Sequence, residues 1–248
     1  MHTSTPFLSW IFPPTCAYCG NQGARTEGDL CPRCRELFSR EAEERCPRCR
    51  RPARECRCGL TSPLSDRPYL TLTFYKSERA FGKSDRLTEK LIFGLKEKGE
   101  YIPFFVSELA DAIIRRFNET DLRRDGWLVT WIPRSEIKYR SCGFDQSEEV
   151  AVRLARRLGL KHDKLFLCGE SKTEQKQLDG TTRLTHAEET IIPIRSRIPN
   201  GGKILLIDDI LTTGASMGTA ARHLLFGGAE TVLPVTIART MYPPYDER

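Results

Sequence analysis

Residues 204–214 read ILLIDDILTTG, and this stretch decides the fold of the chain. Its first four residues are apolar, which is typical of a strand covered on both faces of a parallel sheet. Asp208 and Asp209 follow, at what we expect to be the carboxyl end of that strand. A small, hydroxyl-rich turn then leads into a predicted helix over residues 215–225. Free N–H groups at such a turn suit a phosphate, and the carboxylates suit ribose hydroxyls or a magnesium ion shared with the ligand.

The same string matches, position by position, the phosphoribosyl pyrophosphate (PRPP) motif of type I phosphoribosyltransferases. The resemblance implies that Asp208 and Asp209 hold the ribose. It assigns the 5-phosphate to the turn that follows, made of Thr212, Thr213, Gly214 and Ala215. Purine-type members usually carry an aspartate at the position of Thr212, so a carboxylate base from this turn is missing, which argues against a purine-salvage enzyme. The alternative is a buried strand that ends in a solvated Asp-Asp turn.

Composition and charge describe an ordinary globular protein. The 248 residues are 39% hydrophobic and 29% charged, with a formal net charge of +6. This mild charge permits an anionic ligand but does not by itself require nucleic acid. No stretch approaches the roughly 20 apolar residues of a membrane span, and the apolar residues 7–14 lack the basic leader of a signal peptide. We therefore expect no membrane span and a cytoplasmic location.

Eight of the ten cysteines lie within the first 58 residues. Three C-x2-C pairs and one C-x-C pair could close two tetrahedral sites, and without a secretion signal this clustering favours zinc over disulfides. We expect both zinc sites to be structural, since four cysteines leave no open position. The simplest pairing is sequential: Cys16, Cys19, Cys31 and Cys34, then Cys46, Cys49, Cys56 and Cys58. The alternatives are an interleaved pairing, an iron–sulfur cluster, or loss of metal at the C-x-C pair.

The cysteine-rich head is also rich in arginine. Between residues 45 and 57 a single acid, Glu55, faces six arginines: Arg45, Arg48, Arg50, Arg51, Arg54 and Arg57. One interpretation is a contact with single-stranded nucleic acid, in which arginine binds phosphates and stacks on bases. The other is a solvated surface that balances the negative charge of the thiolate sites. The second is favoured because no aromatic residue is interleaved with the arginines.

The remainder of the chain alternates predicted strands and helices. We predict strands over residues 69–75, 128–132, 164–168 and 231–238, and helices over residues 86–98, 104–117 and 146–158. Pro234 is unfavourable in the middle of the last strand, while Asp145, with Glu148 three residues on, resembles a capping box. The alternation predicts a doubly wound parallel sheet with its ligand beyond the carboxyl ends of the strands. A basic loop over residues 133–143 falls on the same edge as the acid pair.

Taken together, these features resemble the ComF family of the competence/GntX group, over nearly the whole chain. Beyond the cysteines, the likeness rests on three segments: Leu87, Lys90 and Lys96; Ile132 and Pro133 through Arg140, Gly143, Phe144, Asp145 and Gln146; and Lys172, Thr173, Gln175, Leu178 and Arg183. There are departures as well. Cys142 stands where the family usually has arginine, and Asp145 and His186 stand where it usually has asparagine.

The resemblance implies a type I phosphoribosyltransferase fold, a parallel doubly wound α/β sheet, behind a small N-terminal double zinc ribbon. It divides the chain into a zinc-ribbon head, residues 1–62, and a transferase-like domain, residues 63–248, with a lead-in (63–126) and a core (127–248). In transferases of this fold the loop with Pro133, Arg134, Lys138 and Arg140 binds pyrophosphate. Residues 169–189 correspond to a lid that excludes water, with Lys172, Gln175 and Arg183 as its candidate ligand contacts.

The implied activity is phosphoribosyl transfer, in which a nucleophile attacks C1 of magnesium-bound PRPP and pyrophosphate leaves. No catalytic residue is assigned. The ComF family is linked to uptake of single-stranded DNA in natural competence, beside a helicase-like partner, so single-stranded DNA and such a protein are expected partners; a role in nucleotide metabolism is also open. The alternatives are a non-catalytic sensor of PRPP or nucleotides and a single-stranded DNA-binding module. Fold alone cannot choose among them.

Overall fold

The computed structural model describes residues 14–26, 28–61, 64–120, 126–169 and 187–245. Its helices are α1 (Pro32–Ala42), α2 (Glu78–Phe81), α3 (Leu87–Lys98), α4 (Ile102–Glu119), α5 (Glu136–Cys142), α6 (Gln146–Leu158) and α7 (Ala215–Phe226), and residues 187–190 are also helical. Its strands are β1 (Leu70–Tyr75), β2 (Trp127–Trp131), β3 (Lys161–His162), β4 (Phe166–Cys168), β5 (Ile191–Pro193), β6 (Lys203–Leu211) and β7 (Thr231–Thr240). Ala53–Glu55 and Arg195–Arg197 form short 3-10 turns.

Five strands form one sheet in the order β1-β7-β6-β2-β3, and all neighbouring strands are parallel. The predicted doubly wound α/β class is therefore confirmed. Strand β6 lies at the centre, and its residues 204–207 are fully buried, as their apolar run predicts. Pro234 fits in β7 because β1 begins only opposite Val235, which leaves β7 flanked on one side at the proline.

Helices cover both faces of the sheet. Alternate residues of β6 point to opposite faces, so Leu205 and Ile207 join the core under α3, α4 and α6, while Ile204 and Leu206 join the core under α7. The cysteine-rich head packs onto the first of these cores. Phe38 of α1 meets Phe104 of α4 edge to face, with ring centroids 4.9 Å apart. The head is thus anchored to the sheet domain by apolar contact.

The predicted lead-in, residues 63–126, contributes a strand to the parallel sheet. Its strand β1 pairs along β7 and forms one edge of the parallel sheet. Helix α3 ends at Gly99, which has the left-handed φ of 68° expected of a helix stop. Helix α6 begins as predicted, since the Asp145 carboxylate accepts hydrogen bonds from the N–H groups of Ser147 (2.9 Å) and Glu148 (3.2 Å).

One predicted strand lies elsewhere than expected. Residues 164–168 contain β4, but β4 pairs antiparallel with β5 in a separate two-stranded sheet. The parallel sheet ends instead with β3, whose Lys161 and His162 are both exposed. An exposed two-residue edge strand carries no apolar pattern, whereas the apolar Leu165 and Phe166 are buried in the core that α7 covers. The predicted strand is therefore present, but its predicted place in the parallel sheet is wrong.

The predicted basic loop over residues 133–143 contains helix α5. The helix carries an i,i+4 ion pair between Glu136 and Arg140 and ends at Gly143, which has a left-handed φ of 78°. Its apolar residues Ile137 and Tyr139 are exposed, so no buried face marks it as a helix. Among the described helices, none is both long and apolar enough to cross a membrane.

Candidate functional site

The acid pair lies within β6 rather than after it, which corrects the sequence-based placement. Strand β2 pairs with β6 only as far as Ile207, whereas β7 continues alongside, with Thr236 opposite Asp208. On one side, the two aspartates therefore lie alongside β7. On the other side, they lie beyond the end of β2. Their carboxylates lie at the carboxyl edge of the sheet, where ligands bind in open α/β folds.

Asp209 is buried, and both oxygens of its carboxylate have partners. It is 8% exposed. Lys96 Nζ lies 3.3 Å from Oδ2, Gln146 Nε2 donates to Oδ2 at 2.8 Å, and the Ile210 N–H donates to Oδ1 at 2.5 Å. Lys96 comes from the last turn of α3 and Gln146 from the first turn of α6, so two helix ends meet the strand at this carboxylate.

Asp208 is partly buried and has weaker partners. Its Oδ1 accepts from the Asp209 N–H at 2.9 Å and from Ser147 Oγ at 3.4 Å. Burial, and then the neighbouring charge of Asp209, raise the pKa of Asp208 to about 8. Burial also acts to raise the pKa of Asp209, but Lys96 and the hydrogen-bond donors lower it overall. The charge of Asp209 in turn raises the pKa of Lys96.

These pKa directions favour a neutral carboxyl group at Asp208, a carboxylate at Asp209 and an ammonium group at Lys96 near neutral pH. A carboxyl can donate a hydrogen bond and a carboxylate can accept one. Two neighbouring hydroxyl groups, each both donor and acceptor, suit such a surface better than a bare divalent cation does.

Lys96, Gln146 and Ser147 were not among the predicted site residues. Lys96 and Gln146 occur in the segments that carry the family resemblance, but sequence alone gave them no role. A lysine in the last turn of a helix is ordinarily explained by the helix dipole. Only the packing of α3 against the end of β6 shows that this one reaches a carboxylate.

The predicted phosphate turn, residues 212–215, is held from its carbonyl side by the segment that follows the cysteines. The Thr213 carbonyl accepts hydrogen bonds from the N–H (2.9 Å) and Oγ1 (3.1 Å) of Thr61. Gly214 has a φ of 81°, and a Cβ added there would lie 3.0 Å from Leu64 Cδ2. A larger residue at position 214 would therefore be strained and crowded.

The N–H groups of this turn have few hydrogen-bond partners, and Gly214 and Ala215 are buried. In the described part of the chain, the first backbone N–H of α7 to reach a carbonyl is that of Gly218, which donates to Gly214 at 2.7 Å. Ala215 N–H donates weakly to Thr213 Oγ1 at 3.4 Å. Thr212 and Thr213 are only partly buried. The turn thus keeps the unpaired N–H groups of a helix start, which suit an anion.

The predicted pyrophosphate residues do not all share one place. Arg134 belongs to the site: its N–H donates to Asp145 Oδ2 (2.7 Å), its Nη1 donates to the Lys96 carbonyl (2.9 Å), and its guanidinium lies 5.5 Å from the Phe144 ring centre. Pro133 is partly buried beside it. Lys138 and Arg140 are exposed on α5. The predicted lid residues Lys172, Gln175 and Arg183 lie outside the described residues.

The eight head cysteines gather into two groups with the sequential pairing: Cys16, Cys19, Cys31 and Cys34, and Cys46, Cys49, Cys56 and Cys58. Zn–S bonds of about 2.3 Å in a tetrahedron place the sulfurs roughly 3.8 Å apart. The Cys19 and Cys31 sulfurs are 3.7 Å apart, and those of Cys46 and Cys58 are 3.9 Å apart. Both groups therefore fit zinc.

The six arginines of the head divide into two sets. Arg57 stacks on Tyr69, with Cζ 4.3 Å from the ring centre. Arg48 lies over Tyr242 (5.2 Å) and Tyr245 (4.3 Å) and donates from Nε to the Pro243 carbonyl at 2.6 Å. The other four are exposed: Arg45, Arg50, Arg51 and Arg54. The aromatic residues missing from the arginine run are thus supplied by Tyr69 and by the C-terminal Tyr242 and Tyr245.

Comparison with known proteins agrees with this architecture. The double zinc ribbon domain family matches residues 7–62, and the phosphoribosyl transferase domain family matches residues 145–246. Competence protein ComFC of Bacillus subtilis (strain 168) is 27% identical over 227 residues, covering 91% of this chain and 84% of that protein. The predicted combination of zinc ribbon and transferase fold, and the resemblance to the ComF family, are confirmed.

Two solved structures are also similar to this chain. A hypoxanthine phosphoribosyltransferase of Staphylococcus aureus matches 56% of this chain and 73% of its own, with 14% identity and a TM-score of 0.37. The hypoxanthine phosphoribosyl transferase of Trypanosoma cruzi matches 54% of this chain and 63% of its own, with 14% identity and a TM-score of 0.35.

Replacing Asp209 with Asn should destabilise the protein, because it removes the carboxylate that forms an ion pair with the Lys96 ammonium, which is 30% exposed. We expect a loss of about 2–3 kcal/mol, somewhat below the range for fully buried pairs because Lys96 reaches water. Urea unfolding of the zinc-loaded protein measures it. Asp208→Asn at pH 6 is the control and should be nearly neutral. An Asp209→Asn loss no larger than the control's would contradict the pairing.

The pH dependence of stability tests Asp208. Its pKa rises from 3.8 in the unfolded chain to about 8 in the fold, so between these values the folded state holds a proton that the unfolded state lacks. Stability should therefore fall as pH rises through this window. Asp208→Asn removes this contribution. The melting temperature of the variant should therefore rise relative to that of the unmodified protein between pH 6 and pH 8.5. Parallel curves would show that Asp208 ionises normally.

Proposed function

We propose that this chain is a ComF-like protein that binds PRPP, or a related phosphorylated ribose, with magnesium and transfers the phosphoribosyl group. One observation carries the proposal: a charge-balanced acid pair and a helix start with free N–H groups lie on one strand-turn-helix unit. The strand brings Asp208 and Asp209 to the edge of the sheet, and the turn after it opens α7. The groups that would bind the ribose and those that would bind its phosphate thus lie within a few residues of each other.

The ribose is placed at the acid pair and the 5-phosphate at the turn. The Asp209 carboxylate accepts a hydrogen bond from one ribose hydroxyl, and the Asp208 carboxyl donates to another. Gln146 and Lys96 keep Asp209 oriented while it does so. The phosphate takes the N–H groups of Gly214 and Ala215 and the hydroxyls of Thr212 and Thr213.

The pyrophosphate is placed beside Pro133 and Arg134, with Lys138 and Arg140 of α5 and the lid residues Lys172, Gln175 and Arg183 as further proposed contacts. Arg134 donates from Nη1 to the backbone carbonyl of Lys96, the residue whose ammonium group pairs with Asp209. Magnesium, when bound, would neutralise the charge that develops on the leaving group. Because Lys96 occupies Asp209, we place magnesium on the pyrophosphate oxygens rather than between the two aspartates.

The chemistry follows from position and charge. Bond breaking at C1 builds positive charge on the ribose, and the Asp209 carboxylate lies on the side of the sugar hydroxyls to stabilise it. The turn carries Thr212 where a carboxylate would stand in purine-type enzymes, so the acceptor must arrive as a competent nucleophile or bring its base from outside the turn. We assign no catalytic residue. A cytoplasmic location is part of the proposal, because reduced thiols there keep zinc sites intact.

Calorimetric titration with ribose 5-phosphate, and with PRPP and magnesium, tests the ligand. Asp208→Asn/Asp209→Asn, and separately Gly214→Val, should weaken binding of both at least tenfold, since the double variant removes the carboxylate charge of Asp209 and Gly214→Val distorts the phosphate turn. Glu149→Gln, on the exposed pair with Arg153 of α6, is the matched control and should bind normally. Failure of the unmodified protein to bind either ligand would refute the proposal. Binding without pyrophosphate release across a panel of bases would favour the sensor.

A second candidate function is a contact with single-stranded DNA on the arginine-rich head, hereafter the arginine–tyrosine surface (Arg45, Arg48, Arg50, Arg51 and Tyr245). Tyr245 is 70% exposed and lies against Arg48. Proteins that bind single strands combine cations for the phosphates with aromatic faces for the bases. The contact between Arg48 and Tyr245 supplies the aromatic element whose absence spoke against this function in the sequence.

This surface suits a role in DNA uptake, which the name of the Bacillus relative, a competence protein, also favours. The Arg48 guanidinium is held by Tyr242, Tyr245 and the Pro243 carbonyl. It therefore positions the C-terminal segment, while the exposed Arg45, Arg50 and Arg51 remain for phosphates. A helicase-like partner that hands over the strand belongs to the same proposal.

The salt dependence of single-stranded DNA binding tests the arginine–tyrosine surface. Replacing Arg45, Arg50 and Arg51 with Gln should reduce the slope of log affinity against log salt by about 2, since each phosphate contact contributes roughly 0.7. Tyr245→Ala should weaken binding about fivefold or more without changing the slope, because stacking is not ionic. Arg153→Gln with Arg156→Gln is the control. An unchanged slope in the triple variant would exclude this surface.

A further inference from the structure

Arg239 is a buried guanidinium without an acidic partner. It lies near the end of β7 and is the largest fully buried side chain of the described structure, with 0% exposure. Among the described residues no carboxylate forms an ion pair with it; its hydrogen bonds go to neutral oxygens. A buried charge without a counter-charge is strongly destabilising, so the compensating negative charge must be sought nearby.

This guanidinium lies beside the C-x-C pair of the second cysteine group. Arg239 Nη2 donates to the carbonyl of Cys58, and Nη1 lies 3.5 Å from the Tyr69 hydroxyl. Tyr69 in turn donates to the carbonyls of Ala53 (2.9 Å) and Cys56. Both hydrogen bonds of Arg239 therefore lead, directly or through Tyr69, to the C-x-C pair that completes the second group.

The metal-loaded cysteine site supplies the negative charge that Arg239 lacks among its hydrogen-bond partners. Four thiolates around one Zn²⁺ carry a net charge of −2, whereas four protonated thiols carry none. With metal, a buried anion lies beside the buried guanidinium and the two compensate each other. Without metal, the guanidinium keeps only its neutral hydrogen bonds.

We propose that Arg239 is the counter-charge of the second zinc site (Cys46, Cys49, Cys56 and Cys58), and that metal in this site thereby holds the ribbon against the phosphate turn. The first part concerns the metal alone. The second part, on the consequence for ligand binding, rests on the function proposed above.

Two chain segments link the zinc site to the turn. After Cys58 the chain reaches Thr61, which binds the Thr213 carbonyl with both its N–H and its hydroxyl. After Arg239 the chain reaches Thr240, whose hydroxyl donates to Thr212 Oγ1 at 3.0 Å. Both segments that Arg239 joins therefore end on the phosphate turn. Loss of the charge pair loosens the Thr61 segment, whereas Thr240 stays paired in β7 with Tyr75 of β1.

The first zinc site is attached differently, which gives an internal comparison. Arg35, which joins α1 to the sheet domain, pairs with the carboxylates of Asp29 (2.5 Å) and Glu108. These charges persist whether or not metal is bound. The attachment of the first site is therefore independent of its metal, and only the second site couples metal to the turn.

The test is zinc release from the full-length, zinc-loaded protein into excess chelator, followed with a colorimetric zinc indicator. Arg239→Met should release one of two zinc ions per chain at least tenfold faster than the unmodified protein, and Arg239→Lys should lie between them. Arg35→Met, the matched control, should leave the release of the second-site zinc unchanged. Release from Arg239→Met at the unmodified rate would overturn the proposal.

If Arg239→Met fails to fold, two other variants test the coupling between metal in the second site and the phosphate turn. Cys49→Ser disables the second zinc site, and Cys19→Ser disables the first. Hydrogen exchange at the Thr61 amide, which is bonded to Thr213, should speed up at least tenfold in Cys49→Ser and remain unchanged in Cys19→Ser. Equal exchange in the two variants would overturn the coupling. This readout needs no ligand, so it stays separate from a failure to bind PRPP.

Discussion

A carboxylate stays ionised inside a protein only when a cation and hydrogen-bond donors replace the water it has lost. Asp209 meets this condition through Lys96 and Gln146, and the geometry of the site depends on it. The ion pair fixes the end of α3 and the start of α6 against the central strand. Burial and the neighbouring charge of Asp209 also raise the pKa of Asp208. The outcome is a neutral surface for hydroxyl groups at the edge of the sheet.

The cysteine-rich head supports this site from two directions. On one side, Glu41 of α1 caps α3, accepting from the N–H groups of Leu87 (3.0 Å) and Thr88 (2.8 Å), and so places the helix that carries Lys96. On the other side, the segment after the second cysteine group holds the phosphate turn through Thr61. A zinc ribbon that served only to bind DNA would not require the contact of Glu41 with α3 or that of Thr61 with the phosphate turn. Its metal sites therefore belong to the architecture of the proposed sugar-phosphate site.

The structural features that depend on neighbouring residues could be predicted from the sequence. The buried strand β6, the Asp145 cap and the cysteine knuckles each follow from neighbouring residues, and the structure agrees with them. Contacts between distant segments could not be predicted: Lys96 with Asp209, Arg239 with the Cys58 carbonyl, and Arg48 with Tyr245. Each depends on how helices and the C-terminal segment pack. Helix α5 and strand β3 were missed for another reason, since their exposed residues bury no periodic face.

A crystal structure of the protein with PRPP and magnesium tests the central claim most directly. The account predicts the 5-phosphate on the N–H groups of Gly214 and Ala215, with the ribose hydroxyls on Asp208 and Asp209 and the Lys96 contact retained. A phosphate bound elsewhere, or a turn closed over by Leu60 and Leu64 with no ligand beside it, would contradict the account.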